Sequence, residues 1–202
     1  MVKKRPANPI KDEKLILDIQ DYLKYKDERN FVLFVLGIST GYRAGDLVIL
    51  KSRDIRKALS DGYFEILEGK KIHSKNIRKE NIKPRVVKII GNLEIILKRF
   101  IKDKKDYEYI FQSRKGCNKH IEVSRVSTIL REAGEQFGLK NITAHSLRKT
   151  FAYQIYVESN YDITVVKEML GHSSIEETKA YIGLDRETYD KYTDSLNKFI
   201  RA

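Results

Sequence analysis

The sequence predicts a mainly α fold with a small antiparallel β-sheet, which is an α+β class. Apolar residues recur at helical spacing through most of the 202 residues. Short β-branched runs bounded by turn residues occur only in the middle of the chain, within residues 52–90. A chain of this length can bury the core of one domain. We therefore expect a basic arm or linker at residues 1–9 and one domain over residues 10–202.

The first part of the domain is predicted to be helical. Residues 11–26 repeat apolar side chains at helical spacing. Residues 30–39 are apolar on nearly every side and too few to cross a bilayer, so they predict a buried central helix. The motif Thr40-Gly41-Tyr42-Arg43 then ends this helix, and Arg43 lies where a buried segment emerges. A cation there needs an anionic partner, either a carboxylate such as that of Asp46 or a bound anion.

The middle of the chain is predicted to form the sheet, with strands at Ser52–Ile55, Tyr63–Leu67 and Arg85–Ile90. The dipeptide Asp61-Gly62 supplies a turn before the second strand. Between the last two strands, residues 70–88 hold eight Lys or Arg and one acid. Such a run forms either a solvated loop or a hairpin that contacts phosphate, and the basic character of the whole chain favours phosphate.

Helices resume after the sheet. A glycine, Gly138, is predicted to end one of them, and Asp162 is predicted to cap another. Apolar periodicity predicts helices at residues 92–103, 123–137, 142–158, 162–170 and 188–200.

The formal net charge of +12 indicates a polyanionic partner, nucleic acid first and an acidic membrane second. A basic surface that only keeps the protein soluble is the alternative. The single cysteine, Cys117, excludes an internal disulfide and fits a reducing cytoplasm, where we expect the protein. The N-terminus lacks the apolar run of a signal peptide, and no stretch approaches the roughly 18 apolar residues of a membrane span, so we expect no membrane partner.

Residues 169–181 hold the first candidates for chemistry. They place His172 and Tyr181 nine positions apart, across a tight turn and a short helix. Ser174 can cap this helix, and Glu177, three residues on, can close a capping box. A tyrosine delivered in this way is either a nucleophile or a residue of the core.

A second pair, His145 and Arg148, lies three residues apart at a helix start, so both side chains share one face. Together with Arg43, His172 and Tyr181, this ordered set resembles the tyrosine recombinase (phage integrase) family. The resemblance extends from about residue 8 to about residue 190. One motif alone is weak, because His-x-x-Arg is common by chance, but four in order at the family's spacing are specific. The matching motifs are Thr40-Gly41-Tyr42-Arg43, Ala144-His145-Ser146-Leu147-Arg148-Lys149-Thr150, Leu170-Gly171-His172-Ser173-Ser174-Ile175 and Tyr181.

The resemblance implies a site-specific DNA recombinase or integrase that cleaves and rejoins DNA through a covalent 3′-phosphotyrosyl intermediate. Planar, permanently charged guanidinium groups suit phosphoryl oxygens, which makes Arg43 and Arg148 the natural clamp. The nucleophile would be Tyr181, whose hydroxyl has a reference pKa of about 10 and needs activation. His145 is placed to accept its proton, and His172 would hydrogen-bond a phosphate oxygen.

The family also implies a lysine, in the hairpin between the second and third strands, that protonates the departing 5′-oxygen. Counting from the turn places it best at Lys70, with Lys71 adjacent and Lys75 on the same loop. We expect no cofactor, because no Cys or carboxylate completes a zinc site around the two histidines and no glycine loop indicates ATP. The side chains expected to contact DNA are Lys71, Lys75, Arg78, Lys79 and Lys149.

The expected partner is double-stranded DNA, and the family implies a tetramer on two DNA sites, a monomer in the absence of DNA, and accessory directionality factors for some members. Only 42 residues precede Arg43, too few for the N-terminal domain with which most members clamp DNA. We therefore expect either an excised catalytic domain or a short recombinase, with weak and salt-dependent DNA binding.

Two alternatives share part of this logic. A type IB topoisomerase uses the same nucleophilic chemistry, but the His-x-x-Arg motif favours a recombinase. A non-catalytic DNA-binding protein of the same fold would have lost the chemistry, yet all six catalytic positions are filled here: Arg43, Lys70, His145, Arg148, His172 and Tyr181.

Overall fold

The computed structural model describes residues 6–67, 69, 84–182 and 193–200. The chain divides into two compact units, with the boundary between Phe151 and Ala152. Within the described residues, no helix has both the length and the apolar character that crossing a membrane requires. The described elements confirm the prediction of a mainly helical α+β fold with one small antiparallel sheet.

The elements follow one another with short connections. In chain order they are α1 (Glu13–Lys26), α2 (Glu28–Thr40), α3 (Ala44–Val48), α4 (Ser52–Asp61), β1 (Tyr63–Ile66), β2 (Arg85–Lys88), α5 (Gly91–Ile101), α6 (Val123–Gln136), α7 (Ala144–Glu158), α8 (Ile163–Leu170), α9 (Ile175–Ile182) and a 3₁₀ helix (Ser195–Phe199).

Helix α2 is the central element of the first unit. Asp27 ends α1 and caps α2, because its carboxylate accepts the Arg29 N–H at 2.9 Å. Residues 30–37 are all buried, so the predicted buried central helix is confirmed. The apolar side chains of α1, α3, α5 and α6 pack into the same core.

The sheet has two described strands, and one strand prediction was wrong. Strands β1 and β2 pair antiparallel from Tyr63↔Lys88 to Ile66↔Arg85. The predicted strand Ser52–Ile55 is instead the start of α4. Its buried residues Ser52, Ile55 and Ala58 recur every third position, which is a helical period and not the period of two that a strand requires.

The second unit contains the C-terminal half of α7, from Ala152, followed by α8 and α9. Asp162 caps α8 by accepting the Thr164 N–H at 2.7 Å, as the sequence predicted. Gly171 ends α8 in the left-handed conformation, with φ of 65°. The last predicted helix, 188–200, is described only from residue 193, where it is a short 3₁₀ helix.

Candidate active site

The turn after α2 positions Arg43. Helix α2 ends at Thr40, and Gly41 takes a left-handed φ of 61°. A Cβ at this glycine would overlap Cδ1 of the Phe151 ring and lie 2.7 Å from its Cγ, so no larger residue fits without movement. The chain therefore reverses sharply, and Arg43 becomes the N-cap residue of α3, where its carbonyl accepts the Asp46 N–H at 2.9 Å.

A pocket of about 270 Å³ in the first unit brings together three of the six predicted catalytic residues: Arg43, His145 and Arg148. Two short segments supply them, the start of α3 and the first turns of α7. Arg43 is half-buried and His145 is exposed, whereas Arg148 is only 1% exposed. The rest of the wall is formed by Ala44, Gly45, Asp46, Val123 and Ala144.

The buried guanidinium of Arg148 is held by the end of α2. Its Nη1 donates to the Gly41 carbonyl at 2.8 Å. Carbonyls at the C-terminus of a helix lack intrahelical donors and carry partial negative charge, so they stabilise a nearby cation. A desolvated, oriented guanidinium at the wall of a pocket is suited to bind an anion.

A third arginine of the same region, Arg85, was missed by sequence reasoning. Arg85, at the start of β2, is 8% exposed. Its Nη2 donates to the Thr40 carbonyl, and its guanidinium lies over the Tyr42 ring, with Cζ 4.2 Å from the ring centroid. Charge pattern alone groups Arg85 with the basic hairpin. The alternation of β2 could have revealed it, because Arg85 shares an inward-facing side with Val87.

Asp46 links the pocket to Gly69, the last described residue before the basic segment of residues 70–83. Its Oδ1 accepts the Gly69 N–H at 3.0 Å, and the carboxylate is buried beside Arg43 in the pocket wall. Gly69, the residue held at the pocket, immediately precedes Lys70 in the chain. Five basic residues proposed for catalysis or DNA contact lie outside the described residues: Lys70, Lys71, Lys75, Arg78 and Lys79.

Lys149 is the one predicted DNA contact that the structure describes. It follows Arg148 on α7 and is half-buried. Burial lowers the pKa of its ammonium group below the ordinary lysine value. Its contact with DNA stays a prediction.

The second unit contains the other two described candidates, His172 and Tyr181. The side chain of His172 is buried, and its Nδ1 lies 3.1 Å from Oγ1 of Thr178. The Thr178 hydroxyl donates its one proton to the Ser174 carbonyl, also at 3.1 Å. With that proton given to Ser174, Nδ1 is the donor in its contact with Thr178.

The predicted N-terminal cap of α9 is present with one difference. The Ser174 hydroxyl accepts the Glu177 N–H at 3.1 Å, as a capping residue should. The Glu177 carboxylate reaches back one residue further than a capping box requires, to the Ser173 N–H at 3.4 Å. Its other oxygen, Oε1, lies 3.9 Å from Nε2 of His172.

A larger cavity of the first unit, about 590 Å³, is lined by Arg29, Arg114 and Arg125 among other side chains. Asp27 forms ion pairs with Arg29 at 3.3 Å and Arg114 at 3.5 Å, and two further acids line the wall. None of the predicted catalytic residues lines this cavity, so the smaller pocket that contains Arg43, His145 and Arg148 is the candidate active site.

The comparison with protein families matches residues 11–188 to the profile described as "Phage integrase family". Two relatives cover most of this chain. The probable integrase/recombinase YoeC of Bacillus subtilis is 32% identical over 182 residues, which are 90% of this chain and 92% of that protein. Tyrosine recombinase XerA of Pyrococcus horikoshii is 29% identical over 182 residues, 89% of this chain and 57% of that protein.

Two solved structures share the fold. The crystal structure of XerA recombinase has a TM-score of 0.67 at 23% identity and covers 95% of this chain and 66% of that one. A pre-cleavage complex of XerH site-specific recombinase bound to difH substrate has a TM-score of 0.63 at 22% identity and covers 96% of this chain and 55% of that one. The chain thus spans nearly all of YoeC but a little over half of the XerA relative.

Proposed function

Because this chain belongs to the phage integrase family, we propose that it is a site-specific DNA recombinase that cleaves and rejoins strands through a phosphotyrosyl intermediate. The observation that carries the proposal is the pocket shared by Arg43, His145 and Arg148. Two guanidinium groups and an imidazole suit a phosphodiester, whose transition state spreads negative charge over the phosphoryl oxygens.

The arginines act as the clamp in the proposed reaction. Arg148 is buried and fixed by the Gly41 carbonyl, so it stabilises charge without reorganising. Arg43 leaves the adjacent turn and lines the same pocket. Together they neutralise the phosphoryl oxygens as charge shifts during attack and departure.

The nucleophile in this proposal is the Tyr181 hydroxyl, which attacks phosphorus and forms the 3′-phosphotyrosyl bond. A phenol with a reference pKa of about 10 needs a base at neutral pH. His145 lines the arginine pocket, which supports its imidazole as the base that accepts the proton. As the bond to Tyr181 forms, the bond from phosphorus to the 5′-oxygen breaks.

His172 supplies the third contact to the phosphate. With Nδ1 committed to donate to Thr178, a neutral ring can only accept at Nε2. Donation to a phosphate oxygen therefore requires the doubly protonated ring. The Glu177 carboxylate, 3.9 Å from Nε2, can pair with that imidazolium.

Lys70 is the proposed general acid for the departing 5′-oxygen, with Lys71 as the alternative. The support is its position in the chain directly after Gly69, which Asp46 holds at the pocket. The remaining basic side chains, Lys71, Lys75, Arg78, Lys79 and Lys149, would contact the DNA backbone.

Double-stranded DNA is the proposed partner, and the XerH recombinase with the same fold was solved bound to its difH substrate. We extend the proposal to a tetramer on two DNA sites formed from monomers, with directionality set by accessory proteins where present. The proposal also includes a cytoplasmic location for the protein. The net charge of +12 supports the choice of a polyanion.

Covalent capture tests the proposal without knowledge of the target site. The purified chain is incubated with nicked duplexes of randomised sequence in EDTA, and the DNA linked to protein is isolated and sequenced. The nick lets the short 5′-fragment diffuse away, so religation fails and the adduct accumulates. We expect adducts with the wild type and none with Tyr181→Phe.

Two outcomes would contradict this function. An adduct that persists in Tyr181→Phe would assign the nucleophile elsewhere, and a wild-type chain that captures no DNA would exclude the chemistry. Relaxation of supercoiled plasmids without sequence preference would indicate a topoisomerase instead.

A further inference from the structure

Two buried arginines donate hydrogen bonds to the backbone of the turn that carries Arg43. Arg85 donates to the Thr40 carbonyl, and Arg148 donates to the Gly41 carbonyl at 2.8 Å. These carbonyls are consecutive and lie at the C-terminal end of α2, where backbone acceptors are exposed and the helix dipole is negative. Both cations are therefore directed at the same end of one helix.

Arg85 and Tyr42 hold each other through two different contacts. The Arg85 guanidinium stacks over the Tyr42 ring, with Cζ 4.2 Å from the centroid. In return, the Tyr42 hydroxyl donates to the Arg85 carbonyl at 2.5 Å, and the Phe64 carbonyl lies 3.3 Å from the same oxygen. Tyr42 is fully buried, so the contact is shielded from water. Through its hydroxyl, Tyr42 contacts backbone carbonyls of both β1 and β2, so the residue before Arg43 is tied to the sheet.

We propose that Arg85 is a positioning residue for Arg43, and that it acts by fixing the turn formed by Thr40 to Arg43 in the conformation that presents Arg43 to the pocket. Arg85 is not one of the residues that line that pocket, so its effect passes through the turn. The inference deepens the proposed function and rests on it, because it assumes that Arg43 binds the phosphate.

The energetics of burial favour this role over simple packing. A buried guanidinium costs more to desolvate than an apolar side chain of similar volume, such as Met. The Phe151 ring already packs closely against Gly41, and it also lies near Arg85, whose Cζ is 5.8 Å from the ring centroid. Arg85 instead orients the turn. Its Nη2 donates to the Thr40 carbonyl, and the planar face of its guanidinium restrains the ring of Tyr42, which precedes Arg43. Small displacements of a phosphate clamp are expensive in catalysis.

Phosphate binding by Arg43 tests the inference independently of DNA cleavage. The chain is labelled with ¹⁵N-arginine, the Arg43 Nε–H signal is assigned with Arg43→Lys, and inorganic phosphate is titrated. We expect saturable shifts in the wild type and an affinity at least about fivefold weaker in Arg85→Met, equivalent to the loss of one hydrogen bond. Arg85→Lys, which keeps the charge and one donor, should recover part of the loss.

Arg56→Met is the matched control. Arg56 also donates to backbone carbonyls, those of Ile101 at 3.2 Å and Lys104 at 2.7 Å, but it lies outside the pocket. Its loss should lower the melting temperature without changing phosphate affinity. Tyr42→Phe removes only the hydroxyl, and we expect about a twofold to threefold loss of affinity from it. It tests the inference even where Arg85→Met fails to fold.

The outcomes separate the two levels of the proposal. Phosphate affinity in folded Arg85→Met within twofold of the wild type would overturn the role of Arg85 alone. In the case of a misfolded Arg85→Met, unchanged affinity in both Arg85→Lys and Tyr42→Phe would overturn it. A wild-type chain whose Arg43 signal ignores phosphate would contradict the arginine clamp, and with it both proposals. Covalent capture of DNA reports on the proposed function alone.

Discussion

The imidazole of His172 packs edge-on against the ring of Tyr181, with centroids 4.8 Å apart and ring planes 67° apart. Edge-to-face contacts of this kind stabilise aromatic pairs and restrict their orientation. The contact spans the start of α9, so the geometry of one short helix sets the position of the proposed nucleophile relative to a histidine. The nine-residue spacing seen in the sequence therefore corresponds to a physical contact.

An alanine inserted between Lys179 and Ala180 should abolish covalent capture and leave DNA binding largely intact. One extra residue rotates the rest of the helix by about 100° and advances it by about 1.5 Å, which separates Tyr181 from His172. The bond from His172 to Thr178 lies before the insertion and is preserved. Gel-shift and capture assays on the same DNA provide the measurement. Equal loss of both activities would show that α9 is a structural part of the core.

Thr178→Val should slow capture by about tenfold or more, because the Nδ1–H of His172 loses its acceptor and the ring is no longer fixed in one tautomer and orientation. Valine has nearly the shape of threonine, so packing is preserved. The buried donor left unsatisfied should also lower the free energy of unfolding by about 1–3 kcal/mol. Thr178→Ser keeps the hydroxyl and should restore capture. A Val variant as fast as the wild type would show that Thr178 does not orient His172.

Gly41→Ala should destabilise the first unit by about 2–5 kcal/mol, since a left-handed φ and the overlap of a new Cβ with the Phe151 ring both oppose it. Gly62→Ala is the matched control. Gly62 also has a left-handed φ, of 76°, but its Cβ would meet no atom within 4 Å, so only the backbone strain of about 1–2 kcal/mol remains. Urea denaturation measures both. Equal losses would mean that Phe151 moves aside freely.

Lys149 gives a prediction about pH. Burial lowers its pKa in the folded state relative to the unfolded chain, so the charged form opposes folding. This penalty is fully present below the folded pKa, and it is relieved as pH rises through the folded pKa toward the ordinary lysine value of about 10.4. The stability of the wild type relative to Lys149→Met should therefore increase between pH 7 and pH 10.5. Urea denaturation at both values checks this, with exposed Lys102→Met as control. A difference independent of pH would exclude desolvation as the cause.

The helices and the family motifs were predictable because their signals are local. Asp162 and Gly171 mark helix ends by capping chemistry. The apolar composition of residues 30–37 is enough to predict that this part of α2 is buried. The prediction of a strand at Ser52–Ile55 was wrong because four residues with one apolar side chain cannot distinguish a helical period from a strand period.

The partners of the site residues were not predictable, since they depend on long-range packing. Arg85 lies 45 positions from the Thr40 carbonyl it bonds, and Arg148 lies 107 positions from that of Gly41. The sequence suggested Asp46 or a bound anion as the partner of Arg43, but it gave no sign that Asp46 accepts the Gly69 N–H. Charge pattern alone placed Arg85 in the basic hairpin, because burial is not visible in a run of basic residues.

The choice between Lys70 and Lys71 as general acid can be made with the DNA recovered by covalent capture. A lysine that protonates the 5′-oxygen contributes about 10²–10⁴-fold to cleavage. Replacing the 5′-oxygen with sulfur removes the need for a general acid, because a thiol of pKa about 8.5 departs as a thiolate without protonation. Lys70→Ala should therefore cleave the ordinary phosphodiester poorly and cleave the 5′-phosphorothiolate at close to the wild-type rate. Lys71→Ala should cleave both substrates as the wild type does. If Asp46 positions this lysine through Gly69, Asp46→Ala should show the same selective recovery. Recovery in Lys71→Ala alone would reassign the acid, and a sulfur substrate that rescues neither variant would contradict general-acid catalysis from this segment.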